Sequence, residues 1–349
     1  MNLFAFLLAV FILVLVHEIG HFIAAKLNGV KVEEFGIGFP PSFLKIKYKE
    51  TVYSLNLIPL GGFVKVYGEE KEVKKEKNKA FIFKKPWQKL MILSAGIIGN
   101  FLLGWILISY LFTQGVSVPT KKVIVQKVEK NSPAAEKGIK KGDIIKAVIF
   151  KTEKIEIDST AKLIKTVKKY AGREIVLEIK RKSKNLKINI IPRKKPPKGQ
   201  GALGIVITSY EIKKYPLLEA PFKGLIESSK ITLKIIKGVL TAFSNFLTFK
   251  RSEIQLTGPI GIAKMTSEAA KLGKNAFLEF LALLSLNLAV INLLPFPALD
   301  GGRMILVLYE WKTRKRVDKD FEQKLNTIGF AILILLAIII SIYDIKRFF

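Results

Sequence analysis

Only two histidines occur among the 349 residues, and both lie in one stretch, LVHEIGHF, from Leu15 to Phe22. Positions i and i+4 share a face of an α-helix, so His17 and His21 can hold one metal ion while Glu18 projects beside it. This is the HExxH arrangement, in which two imidazoles bind Zn²⁺ and the glutamate acts on a water molecule. The bare pattern also arises by chance, and two hydrogen-bonded core histidines are the alternative. Position weighs against that alternative. Leu3 to Val16 is an unbroken apolar run, and metal-binding or charged groups at membrane depth are costly unless they are used or paired.

A catalytic zinc commonly takes three protein ligands and leaves a fourth position to water. The chain has no cysteine, which excludes disulfides, thiolate ligands and cysteine nucleophiles together. With no third histidine, the remaining ligand must be a carboxylate in apolar surroundings at matching depth. Asp300, within NLLPFPALDGG from Asn292 to Gly302, meets both conditions. Its alternative is a turn aspartate ahead of Gly301 and Gly302. Asp344 falls at the opposite membrane face, and Glu310 lies among basic loop residues.

The elements that must position these groups follow from the apolar windows near 3–25, 90–112, 276–294 and 326–342. Each is long enough to cross a hydrocarbon core of roughly 30 Å as a helix, which predicts four membrane spans. The amino end, MNLFAF, has no basic n-region, so the first window is expected to be retained and not cleaved as a signal peptide. Lysine-rich short loops favour the cytoplasm. Lys26 to Lys89 and Arg303 to Lys324, which includes KTRKR at 312–316, are therefore expected inside. Both termini and the long segment 113–275 then lie outside. HEIGH and the Asp300 motif both end spans that run from outside to inside, so they meet at one depth.

The formal charge of +30 raises nucleic acid as a partner. The lysines are dispersed through loops and strand-like sequence, without an arginine-rich arm or a nucleic-acid motif. Basic loops facing anionic lipid account for them better, so the expected partners are the lipid bilayer and no nucleic acid.

HEIGH in a first span, together with Asn292, Pro295, Pro297, Asp300 and Gly301 in an N-x-x-P-x-P-x-L-D-G pattern, resembles the site-2 protease family of intramembrane zinc metalloproteases, in its bacterial RseP-type branch. GIGFPP at 36–41, PLGGFVKVYGE at 59–69, AGIIGNF at 95–101 and GPIGIA at 258–263 extend the resemblance in order along the chain. Ala95-Gly96-Ile97 departs from the family's A-G-P. The resemblance implies zinc held by His17, His21 and Asp300, Glu18 as the catalytic base, and a bacterial inner-membrane location. It implies substrates that are single-span membrane proteins, of the anti-sigma-factor type or remnant signal peptides. Within 27–89, alternating apolar and polar residues broken by Gly and Pro read as short strands and hairpins. The resemblance makes this a membrane-re-entrant β element whose edge, Gly62, Phe63, Val64 and Lys65, pairs with an unwound substrate. Asn292 is expected either to hold that strand or to pack helices.

Val123 to Val148, VIVQKVEKNSPAAEKGIKKGDIIKAV, followed by a helix and strands, resembles a bacterial PDZ domain over 121–207 that serves as a peptide receptor or a steric filter. No G-L-G-F-like loop precedes Val123. Residues 208–275 are expected to form an extracytoplasmic linker with an amphipathic helix, whose uncharged part, 238–249, is too short to span. The expected fold class is thus a polytopic α-helical membrane protein with four transmembrane helices, a re-entrant β element and an inserted extracytoplasmic α+β domain. Its expected division is helix 1 with HEIGH over 1–26, the cytoplasmic and re-entrant region 27–89, helix 2 over 90–112, helix 3 with the LDG motif over 276–302, a cytoplasmic loop 303–324 and helix 4 over 325–345. Two rival activities fit less well. A noncatalytic scaffold leaves buried histidines without a reason, and a zinc transporter lacks a second acidic or histidine-rich relay.

Overall fold

A computed structural model describes residues 2–69, 73, 75–248 and 257–348. Residues 70–72 and 74 of the 27–89 region, and 249–256 of the linker, lie outside the described residues. The chain divides into two compact units, one of residues 1–113 with 216–349 and one of residues 114–215.

The first unit begins with helix α1, Leu3–Leu27, whose N-terminus is capped by the Asn2 side chain accepting from the Ala5 amide. Strands β1, Val32–Tyr48, and β2, Thr51–Val66, follow. Phe35 lies opposite both Val64 and Tyr53, Gly36 opposite both Phe63 and Ser54, and Ile37 opposite both Gly62 and Leu55. Residues 34–37 are therefore flanked on both sides by β2, while 42–48 pair with 51–56. The two long strands fold over on themselves at Pro40-Pro41 and at Pro59 to Gly61, where proline removes donors and Gly61 has φ 115°. Segment 62–66 is left at one edge of the sheet.

Helix α2, Pro86–Gln114, is longer than the expected 90–112; Pro86 suits the first helical turn, where its missing N–H costs nothing. The second unit is the insertion: β3, Val116–Val128; α3, Pro133–Glu136; β4, Ile144–Phe150; β5, Glu153–Glu156; α4, Thr160–Lys169; β6, Ile175–Arg181; β7, Lys184–Ile190; and β8, Ile205–Lys213. The sheet order is β7-β6-β4-β3-β8, with β5 on β4. Val123, Val148, Leu163, Leu177 and Ile190 form its core, each buried side chain contributing roughly 1.5–3 kcal/mol. Under the sheet, Arg181 forks onto both carboxylate oxygens of Asp143 at 2.8 Å.

Back in the first unit come α5, Ala220–Leu247; α6, Pro259–Lys271; α7, Lys274–Leu293; α8, Asp300–Thr313; and α9, Lys319–Phe348. Among the described residues, segment 208–275 thus carries two helices, where one was expected. Gly258, the N-cap of α6, and Gly261 within it donate their amides to Asp344 Oδ2 of α9, so that buried carboxylate caps a helix. The helix expected over 276–302 stops at Leu293. Residues preceding proline are driven out of helical geometry, and Leu294 before Pro295 is extended, with ψ 143°. The expected loop 303–324 is mostly helical, filled by α8 and the start of α9. Helices α1, α2, α7 and α9 are long and apolar enough to cross a membrane. The first three pack through Ala9, Leu13, Leu281, Leu103 and Leu107, and α5 adds Ile231 and Ile235 against Ile108 and Leu286.

Candidate metal centre

His17 and His21 project from one face of α1 with their Nε2 atoms 3.1 Å apart. Asp300 arrives from the first turn of α8, its Oδ2 lying 3.1 Å from His17 Nε2 and 3.4 Å from His21 Nε2. Two features make the approach possible. Prolines 295 and 297 end α7 and turn the chain, and Gly301 follows Asp300 where a Cβ would stand 2.3 Å from the carbonyl oxygens of Leu293 and Leu294. A side chain there would push α8, and Asp300 with it, off the end of α7.

A cation fits this cluster on its own chemistry. His21 Nδ1 lies 2.8 Å from the Ile92 carbonyl oxygen; a carbonyl can only accept, so the proton sits on Nδ1 and Nε2 presents a lone pair. Asp300 Oδ2 is buried with no partner besides the two imidazole Nε2 atoms. Lone pairs converging in a low-dielectric site repel one another unless a positive charge sits among them. Two imidazoles and one carboxylate whose ligand atoms all lie within 4.8 Å of one another match the His₂-carboxylate set of catalytic zinc sites.

Helix α2 backs the histidines at close range. A Cβ on Gly96 would stand 2.4 Å from His21 Nε2 and 2.6 Å from His17 Cε1, so only glycine lets α2 pass this close. Asn100, one helical turn further on, is completely buried with its amide nitrogen 3.3 Å from His17 Nδ1. On the other side of the ligands opens a cavity of about 770 Å³ lined by Glu18, Phe63, Val64, Asn292, Asp300 and Arg303 among others. Glu18 and the sheet edge are neighbours there, since a Cβ on Gly62 would lie 3.4 Å from Glu18 Cγ. Lys65 is the neighbour of Val64 on the same edge and pairs with Glu34.

Several residues around this cavity escaped the sequence. Arg303 of α8 makes an ion pair with Glu69, just beyond β2, and so ties the sheet to the helix that carries Asp300. Glu322, Gln323, Asn326 and Thr327 of α9 also line the cavity, and Asn326 Oδ1 accepts from the Ala298 amide. No face stood out in the sequence, because Lys319, Asp320 and Lys324 are interleaved with these residues in the same polar turns of α9. Glu310, set aside as a loop residue, lies in α8 and pairs with the buried Lys89 at 3.1 Å.

Comparison with known proteins agrees with this chemistry. The description peptidase family M50 matches residues 5–336. A Clostridium acetobutylicum protein carrying a zinc metalloprotease name is 37% identical over 345 residues, covering 99% of this chain and 97% of the relative. The regulator of sigma-W protease RasP of Bacillus subtilis is 29% identical over 425 residues, covering 99% and 98%, and the zinc metalloprotease RasP of Geobacillus kaustophilus 27% over 428, covering 100% and 98%. A metal-fitting cluster where α8 meets the membrane-length helix α1, within a match that runs nearly the whole chain, places this protein in peptidase family M50, the site-2 zinc metalloproteases.

Proposed function

We propose that the chain is an intramembrane endopeptidase in which His17, His21 and Asp300 hold the catalytic zinc and Glu18 is the general base. The convergence of two Nε2 atoms and an otherwise donorless Asp300 Oδ2 carries this assignment. Zinc held there supplies Lewis-acid polarisation of a peptide carbonyl and acidifies water. Glu18, on the cavity side of the ligands, accepts the proton of the attacking water and delivers it to the leaving amine nitrogen.

A transmembrane helix has its backbone bonds closed and must unwind before its carbonyls are open to attack. An exposed sheet edge recruits such a segment by strand addition. Gly62 to Lys65 form an edge of this kind beside Glu18, which supports their role in holding substrate, with Asn292 on the same cavity wall. Single-span membrane proteins are the substrates this arrangement suits. The sigma-W regulator name of the B. subtilis relative favours an anti-sigma-factor type, with remnant signal peptides the other class. Charge placement supports both termini and 114–215 outside the bacterial inner membrane, with the site toward the cytoplasmic side. The insertion, a PDZ domain in this assignment, screens or receives substrate there; β8 forms one edge of its sheet.

Asp300→Asn and Glu18→Gln test the division of roles. Asp300→Asn should lose zinc and cleavage together, whereas Glu18→Gln should keep zinc and lose cleavage. One tightly held zinc and native cleavage in purified Asp300→Asn would remove Asp300 from the ligand set.

A further inference from the structure

The AGIIGNF stretch contains one residue for which peptide cleavage gives no reason. Asn100 is polar, lies in the middle of α2 and has no exposed surface. It shares a face of α2 with Ile92 and Gly96, at successive spacings of four. That face meets the histidines in register. The Ile92 carbonyl accepts from His21 Nδ1, Gly96 leaves room for both rings, and the Asn100 amide reaches His17 Nδ1.

The Ile92 bond fixes the His21 tautomer, because a protonated Nδ1 leaves Nε2 free to bind a metal. His17 needs the same arrangement if its Nε2 is also a ligand, and an acceptor at Nδ1 is what would impose it. The two ends of an asparagine amide exchange by a half-turn of the side chain. With the NH₂ end toward His17, the Asn100 oxygen is buried and has no donor; the half-turn gives it the Nδ1 proton. The backbone at this point is pinned, since Ser285 of α7, itself fully buried, donates to the Asn100 carbonyl oxygen at 2.7 Å.

We propose that Asn100 is the positioning residue of His17, its amide oxygen accepting the Nδ1 proton and so holding the tautomer whose Nε2 binds zinc. This rests on the zinc assignment made above. Outer-shell partners of metal-bound histidine are worth about 10–100-fold in metal affinity.

The test is zinc affinity of the full-length, metal-stripped protein in detergent, measured by competition with a chelator. Asn100→Leu keeps the approximate shape without an acceptor, Asn100→Ala removes the amide without crowding, and Asn100→Asp can only accept from His17. Leu and Ala are expected to weaken zinc binding by roughly 10–100-fold, and Asp to bind at least as tightly as the native chain. A packing role would be met by Leu and Asp alike, so loss in Leu with retention in Asp marks an acceptor. Native affinity in the Leu or Ala variant overturns the proposal, as does an Asp variant as weak as Ala, which would mean that the amide donates. If the native chain itself takes up no zinc, the zinc assignment fails and this inference with it.

Discussion

Gly62 of the sheet edge lies beside Glu18 of α1: a Cβ on Gly62 would stand 3.4 Å from Glu18 Cγ and 3.5 Å from Val14 Cγ1. A strand added to this edge would therefore run past Glu18, the proposed general base. The edge comes from the folding of β2 back around residues 34–37, which leaves 62–66 as the outermost segment.

The proposed substrate pairing at this edge would use backbone donors. Proline at Val64 removes one and distorts the strand. Val64→Pro is expected to slow cleavage of a membrane-embedded substrate by roughly tenfold, the equivalent of losing one hydrogen bond worth about 1.5 kcal/mol, while zinc content stays native. Val64→Thr, which keeps the donor and the β-branch, should be much milder. Equal rates for Val64→Pro and the native enzyme, with normal insertion in both, would reduce the edge to structural packing.

The close passage of α2 gives a second outcome. A methyl group on Gly96 would stand 2.4 Å from His21 Nε2, so Gly96→Ala must displace a ligand ring or push α2 away. Misplacement of reacting groups by about 1 Å costs on the order of 100-fold in rate. Zinc stoichiometry and cleavage measured on the purified variant should both fall; retention of both would show that the rings have slack the structure does not indicate.

Acid sensitivity in the inserted unit should trace to Asp143. Burial pushes its carboxyl up, but the Arg181 hydrogen bonds and the Lys140 amide outweigh burial and hold it below the usual carboxylate range. A carboxyl that titrates lower when folded than when unfolded contributes stability above its unfolded pKa, about 3.9. That contribution is lost as pH falls through the folded value. Hydrogen exchange across 138–145 in the full-length protein, corrected for intrinsic rates, should accelerate as pH drops below about 4. Asp143→Asn should exchange faster already at neutral pH, by an opening free energy lower on the order of 2 kcal/mol. An identical profile in the variant would assign the acid response elsewhere.

Topology is open to direct chemical test because the chain has no native cysteine. With an impermeant thiol reagent applied to intact cells, a cysteine replacing the exposed Lys151 should be labelled and one replacing the exposed Lys75 should not. The reverse pattern would invert the charge-based orientation.

Local periodicity was enough to place His17 and His21 on one helical face, since a spacing of four residues fixes that for any α-helix. Composition was enough to nominate Asp300, because a chain without cysteine or a third histidine leaves only carboxylates. Apolar length marked the four helices able to cross a membrane, though their ends at Pro86, Leu293 and Lys319 depended on caps and prolines that window averages blur. The strand at 62–66 was legible as β sequence, but its place at an edge was decided by how β1 and β2 wrap, which alternation cannot encode. Asn100, the Arg303–Glu69 pair and the polar face of α9 belong wholly to the tertiary structure. Each meets its partner only because segments far apart in sequence come within a few ångströms of one another. Such approaches are set by the summed packing of many side chains and by glycines such as Gly96, so no local pattern around Asn100 could reveal that it ends against His17.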